Sequence, residues 1–217
     1  MTILVVGAGA TGGYFGARLA QAGQDVTFLV RPHRAEQLRE RGLRIVEPGA
    51  GAGAGQTLRP NLVMAGELTE RADVVLLSVK GTALDQAIAD FAPAVGPRTV
   101  VVPFLNGMAH LAVLSKRFGE SAVLGGVILI ATQLNSEGDI VQLSPPASLV
   151  IGTQDGTRTT RLQGGLRAAL RGRVRRQHQR RDHRADVAEV GVRRDHRRAD
   201  LPDARHRGGD RGRSRRT

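Results

Sequence analysis

Residues 2–30 read TILVVGAGATGGYFGARLAQAGQDVTFLV, and the fold is decided there. Thr2–Val6 is a short apolar run rich in β-branched side chains, the composition of a strand. Glycines follow at 7, 9, 12 and 13. Beyond them Phe15, Leu19 and Ala22 recur at helical spacing until Gly23, a natural helix stop. Asp25–Val30 (DVTFLV) is a second strand pattern. Strand, glycine turn, helix and strand within about 30 residues match the length of a βαβ unit.

The pattern continues outward. Arg34–Arg41 predicts a short helix, Leu43–Glu47 a strand and Pro48–Gly55 (PGAGAGAG) a flexible loop. Asp73–Val79 (DVVLLSV) is an apolar run of the kind a parallel strand shows when both faces are covered. Ala83–Phe91 places Leu84, Ala87, Ile88 and Phe91 on one helical stripe. Thr99–Leu105 predicts another buried strand, with Pro103 at its end or at a bulge. Met108–Phe118 predicts a helix, Val127–Gln133 and Asp139–Leu143 a hairpin around Asn135–Gly138, Leu149–Ile151 one more strand and Arg161–Leu170 a last helix. Strands alternating with helices give an α/β class, a Rossmann-type doubly wound parallel sheet.

Charge divides the chain. Of a net +12 over 217 residues, residues 171–217 carry 17 Arg, no Lys and seven acids, while residues 1–170 are nearly neutral. All six aromatic residues precede residue 119. The expectation is one folded domain over 1–170 and an Arg-rich tail over 171–217. The tail's five large apolar residues, Val174, Val187, Val190, Val192 and Leu201, are too few to offset the entropy of ordering it. Having no cysteine, the chain has no disulfide, thiolate metal site or cysteine nucleophile. No metal is expected. The longest apolar stretch, around Val123–Ala131, is about half the ~20 residues of a membrane span, and the first residues do not resemble a secretory signal, so a cytoplasmic location is expected.

The spacing Gly7-x-Gly9-x-x-Gly12, after a strand and opening a helix, is the context of a dinucleotide site. Gly7 permits the tight turn, Gly9 the approach of backbone to a pyrophosphate, and Gly12 close packing of helix on strand. The helix N-terminus adds unpaired N–H groups and a positive dipole end. A site for NAD places an acid at the end of the second strand. Here Val30 leads into Arg31, with His33 and Arg34 behind it. A guanidinium there pairs with the 2′-phosphate of NADP. Lys80 and Asn106 stand at the tips of successive predicted strands, and Lys80 is one of only two lysines in the chain. Each has a bland alternative, a snorkelling lysine and an Asn-Gly turn; together they favour a ligand contact.

The stretch VVGAGATGGYFGARLAQAG, the Val30-Arg31 pair, LLSVKGTALDQ and PFLNGM resemble, in order and spacing, the ketopantoate reductases (2-dehydropantoate 2-reductases). The resemblance covers residues 1–170, the nucleotide-binding domain of that family. It implies NADP (NADPH) bound by Gly7, Ala8, Gly9, Ala10, Thr11, Gly12, Arg31, Lys80 and Asn106. Asn106 would also lie near the substrate and Ala131–Thr132 near the cofactor. It further implies reduction of a small 2-keto acid, 2-dehydropantoate, to pantoate for pantothenate and coenzyme A synthesis. The family's proton donor is a lysine in a helical second domain, and nothing in 171–217 supplies it. The catalytic residue is therefore unassigned.

Three readings of the tail follow: a polyanion-binding segment, an inert extension, or an out-of-frame translation of the second domain. The last is favoured and nucleic-acid binding least. One permitted set of GC-rich codons for residues 186–203, read one base later, spells an apolar helix with a W-x-K-W pattern like the family's lysine segment.

Overall fold

The computed structural model describes residues 1–49, 55–155 and 187–191. Five parallel strands form the central sheet: β1 (Thr2–Val6), β2 (Asp25–Leu29), β5 (Asn61–Val63), β6 (Ala72–Leu77) and β7 (Val95–Pro103). Their order is β5-β2-β1-β6-β7. The chain therefore builds outward from β1 on one side, then returns to lay β6 on the other. The crevice between the carboxyl ends of β1 and β6 is the topological switch point, where open α/β sheets bind ligands.

Alternation along β1 explains the layers. Ile3 and Val5 face a core shared with helix α1 (Ala10–Gln21), where Tyr14, Phe15 and Phe28 are fully enclosed. Leu4 and Val6 face a second core with helices α3 (Leu84–Phe91) and α4 (Ala109–Phe118), centred on Phe91 and Leu114. Helix α2 (Pro32–Arg41) sends Ala35 and Leu38 into the α1 side. β6 and β7 are buried on both faces over most of their length, as their unbroken apolar runs require. Pro103 ends β7, where no ladder N–H is missed.

A second sheet covers α1. It contains β3 (Leu43–Val46), β4 (Gln56–Leu58), β8 (Gly125–Leu134), β9 (Ile140–Gly152) and β10 (Val187–Gly191). β8 and β9 form the expected hairpin, and β3 joins β9 in parallel through Ile45 and Val46. Ile140, Leu149 and Ile151 of β9 complete the α1 core, while β8 turns Val127 and Leu129 to solvent.

The structure departs from the sequence expectations in several places. The separate strand at Leu149–Ile151 is the far end of one continuous β9, which runs through Pro145 and Pro146. β4 and β5 were not anticipated. β6 stops at Leu77, short of Val79. Val187–Gly191, inside the stretch expected to be a coreless tail, pair antiparallel with Ser148–Gly152 of β9. Backbone pairing needs no large side chains, so the count of apolar residues is blind to it. The helix expected at Arg161–Leu170, the domain boundary at 170 and the rest of the tail lie outside the described residues.

Two measurements test this packing. A Cβ on Gly16 would sit 2.6 Å from two ring carbons of Phe28 and 3.0 Å from Val5 Cγ2, with the ring wholly enclosed. Gly16→Ala gains about 1 kcal/mol of helix propensity but overpacks this contact, which costs typically ~1–3 kcal/mol. A net loss of stability in urea unfolding is expected. The second concerns His110, which is buried in the first turn of α4 and held by desolvation below the usual imidazole pKa. The folded state keeps it neutral where the unfolded chain takes up a proton. Stability should therefore fall as pH drops through about 6.5, the unfolded value. His110→Leu should flatten that part of the urea-midpoint profile between pH 7.5 and 5.5, and an unchanged slope would count against the assignment.

Candidate functional site

The turn leaving β1 is shaped by lack of room. Gly7 has φ +95°, and a Cβ there would fall 2.4 Å from the Ser78 carbonyl oxygen. Its N–H donates to Leu29 O at 3.0 Å, and the Ser78 N–H donates to Val6 O at 2.9 Å, so β2 and β6 both hold the turn. A Cβ on Gly12 would strike Gly7 O at 2.3 Å and Ser78 Cβ at 2.7 Å. Gly9 differs: nothing lies within 4 Å of its Cβ position, so that face opens to space. Gly9 is also the N-cap of α1. No side chain caps this helix and no acid lies in its first turn. The orphan N–H groups and positive dipole end are thus left for an external anion.

A cleft of about 1030 Å³ lies over this turn. Gly7, Ala8, Gly9, Arg31 and Lys80 line it together. Ala10, Thr11 and Gly12 do not line it, Gly12 being buried under the loop. Arg31 is the exposed N-cap residue of α2, and its carbonyl accepts the Ala35 N–H at 2.9 Å. Lys80 is exposed and precedes a 3-10 turn at Gly81–Ala83. Neither cation has a side-chain partner among the described residues. Two acids share the cleft but are engaged locally: Glu67 Oε2 accepts the Met64 N–H at 2.9 Å, and Asp90 Oδ1 accepts from Gln86 Nε2 at 2.7 Å. The walls come from the β5–β6 connection and α3, whose residues the sequence did not mark.

Asn106 stands outside the cleft lining, exposed at the same edge of the sheet. Leu77 of β6 pairs with Pro103 of β7, so Lys80 and Asn106 each lie three residues past one paired level. Ala131 and Thr132 sit in β8 beside a break in its register with β9, and the β8 residue reaching the cleft is Leu134.

Sequence reasoning noticed Arg34 as part of a basic cluster and missed what it does. Its Nε donates to Ala8 O at 3.0 Å, inside the glycine turn. Its Nη1 donates to Gly138 O at 3.1 Å, in the turn of the β8–β9 hairpin, and to Gln37 Oε1. Nη2 is buried without a partner. Burial pushes the guanidinium pKa down, opposed by the charge of Asp139. The only signal available in sequence was an arginine on the first turn of a helix.

Among the described residues, no group of three His, Cys, Asp or Glu side chains could hold a metal ion, and no helix is long and apolar enough to cross a membrane.

Comparison with known proteins points to a family of oxidoreductases. Residues 3–156 match the family model of ketopantoate reductase PanE/ApbA. An uncharacterized oxidoreductase, YkpB of Bacillus subtilis, is 42% identical over 163 residues, covering 75% of this chain and 52% of the relative. A 2-dehydropantoate 2-reductase of Mesorhizobium japonicum is 27% identical over 205 residues, covering 81% and 61%. The crystal structure of 2-dehydropantoate 2-reductase from Geobacter metallireducens superposes with a TM-score of 0.69 at 28% identity, covering 79% of this chain and 55% of that one. The chain thus spans between about half and three-fifths of the length of these relatives. By the family model and the fold alike, it belongs to the ketopantoate reductase PanE/ApbA family.

Proposed function

We propose that this chain is the NADPH-binding part of a 2-keto acid reductase whose reaction is 2-dehydropantoate to pantoate. The observation that carries the reading is one cleft that joins an uncapped glycine turn to two cations, Arg31 and Lys80, without side-chain partners among the described residues. The fit to a dinucleotide is specific in one respect. Gly7 and Gly12 are required by the protein's own packing, whereas the open space at Gly9 serves no internal contact and leaves room for a diphosphate against the backbone.

The Gly9 N–H, at the open start of α1, binds the diphosphate with the dipole of the helix behind it. Arg31 forms a bidentate pair with the 2′-phosphate, in the place where a carboxylate would select a free ribose hydroxyl. Lys80 adds a second positive charge at the switch point. Asn106, at the neighbouring tip, orients the substrate through its amide. When bound, NADPH supplies a hydride to the ketone carbon. The carbonyl oxygen then gains negative charge and requires a proton and positive charge beside it. The family resemblance places that proton donor, a lysine, in a second domain, and Lys80 and Lys116 are the only lysines of this chain. A second reading is a dinucleotide-binding unit that does not turn substrate over: Lys80 is the one lysine among the described residues that line the cleft.

Fluorescence titration with NADPH and NADH, beside a ketopantoate turnover assay, tests both readings. Tight NADPH binding with turnover supports the first, and binding without turnover the second. No affinity for either dinucleotide overturns both. Arg31→Ala should raise the Kd for NADPH about 10- to 100-fold, the loss of a charge-assisted bond worth roughly 1.5–3 kcal/mol. The Kd for NADH should stay within about twofold. Gly9→Ala should weaken both dinucleotides by at least about tenfold, while an N-cap change alone costs the fold at most about 1 kcal/mol.

A further inference from the structure

We propose that Arg34 is a positioning residue for the dinucleotide loop, aiming the Gly9 N–H at the bound diphosphate by holding the carbonyl on the other side of the same peptide. The assignment rests on the dinucleotide reading above. No cis peptide bond occurs, so in the planar Ala8–Gly9 unit the carbonyl and the N–H point in opposite directions. Arg34 Nε holds the Ala8 oxygen at 3.0 Å, which fixes the plane and turns the Gly9 N–H away from α2. That N–H donates to no acceptor among the described residues, and the adjacent Gly9 Cβ position faces open space. A charged donor on the carbonyl also polarises the peptide, which strengthens the N–H as a donor.

The guanidinium is itself anchored from a distant part of the chain. Residues 34, 37 and 41 lie along one side of α2, and all three grip the hairpin turn at 135–138. Arg34 Nη1 donates to Gly138 O at 3.1 Å, Gln37 Nε2 donates to Glu137 O at 3.1 Å, and Arg41 pairs with Glu137 at 2.6 Å. Gly138 has φ +82°, a conformation that strains other residues, and a Cβ there would displace the Gln37 amide, 2.2 Å away, from its place on the turn. One charged side chain therefore joins the glycine turn to a hairpin that lies 104 residues beyond Arg34 in the chain. Among the described residues its Nη2 is buried without a hydrogen-bond partner. Lysine would keep the charge but lacks the fork that reaches both carbonyls.

The full chain is titrated with NADPH and NADH as wild type, Arg34→Met, Arg34→Lys and Gly138→Ala, and amide exchange is followed by mass spectrometry without ligand. Expected is a weakening of both dinucleotides by the same factor, about tenfold, in all three variants. Arg31→Ala, by contrast, should affect NADPH alone. Residues 7–9 and 135–138 should exchange faster together in each variant, a readout that needs no ligand. If wild type binds neither dinucleotide, the functional reading fails, while coupled exchange still upholds the strap between the two turns. Affinities within twofold of wild type for Arg34→Lys and Gly138→Ala would overturn the proposal, as would a loss confined to NADPH. So would faster exchange at 135–138 with none at 7–9. Should Arg34→Met fail to fold, the other two variants carry the test.

Discussion

The constraint from which the rest of the structure follows is the approach of the glycine turn to the end of β6. Gly7 meets the Ser78 backbone on one side and the start of α1, at Gly12, on the other, and neither position has space for a methyl group. From this contact the helix takes its distance from the sheet. That close seat then brings Gly16 onto the Phe28 ring and Tyr14 and Phe15 into the core. Glycines in a helix interior each cost about 1 kcal/mol against alanine. Three of them in α1, Gly12, Gly13 and Gly16, are tolerated because each faces an atom that a Cβ would strike. The same approach leaves the helix N-terminus open at the switch point, so the close packing and the uncapped helix end arise from one geometric requirement.

The second sheet supports that arrangement from behind. Ile140, Leu149 and Ile151 close the core over α1, and Arg18 of α1 reaches Glu47, just past β3, at 2.7 Å while lying over the Tyr14 ring. Thr99, buried, ties the central sheet internally through its hydroxyl, which donates to Ala72 O at 2.6 Å and accepts the Gly96 N–H at 2.8 Å. The α1 layer is therefore fixed on both faces. The opposite core, with α3 and α4, has no second sheet over it among the described residues, and the cleft takes a wall from α3 on this side.

What could be read from the sequence follows the range of the interactions. β1, α1 and β2 were legible because their pattern is local: a β-branched run, a glycine turn and a helical stripe in 29 residues. β6 and β7 were legible because burial on both faces makes a strand uniformly apolar. β4 and β5 have three residues each, too short for any alternation, and β5 becomes a strand only through its pairing with β2. β3 joins β9 through two paired positions some 95 residues apart, which no window along the chain contains. The site divides the same way. The tight turn at Gly7 and the close seat of Gly12 are legible in their spacing, and the place of Arg31 at the cleft in its position after β2. Arg34 looks like any solvated arginine until the hairpin turn is placed beside it.

The charges in the cleft are arranged in a way that folding alone does not favour. Arg31 and Lys80 line the same space as Glu67 and Asp90, so pairs of opposite sign were available. Each carboxylate instead serves a local bond, Glu67 to a backbone N–H three residues away and Asp90 to Gln86 on its own helix. Engaged acids compete weakly for the cations, and exposed ion pairs contribute only about 0–1 kcal/mol in any case. Leaving them unformed therefore costs the fold little. For an anionic ligand the gain is larger, because cations free of partners need not break a bond before binding. Together with the uncapped helix end, they offer three separate positive groups along one cleft.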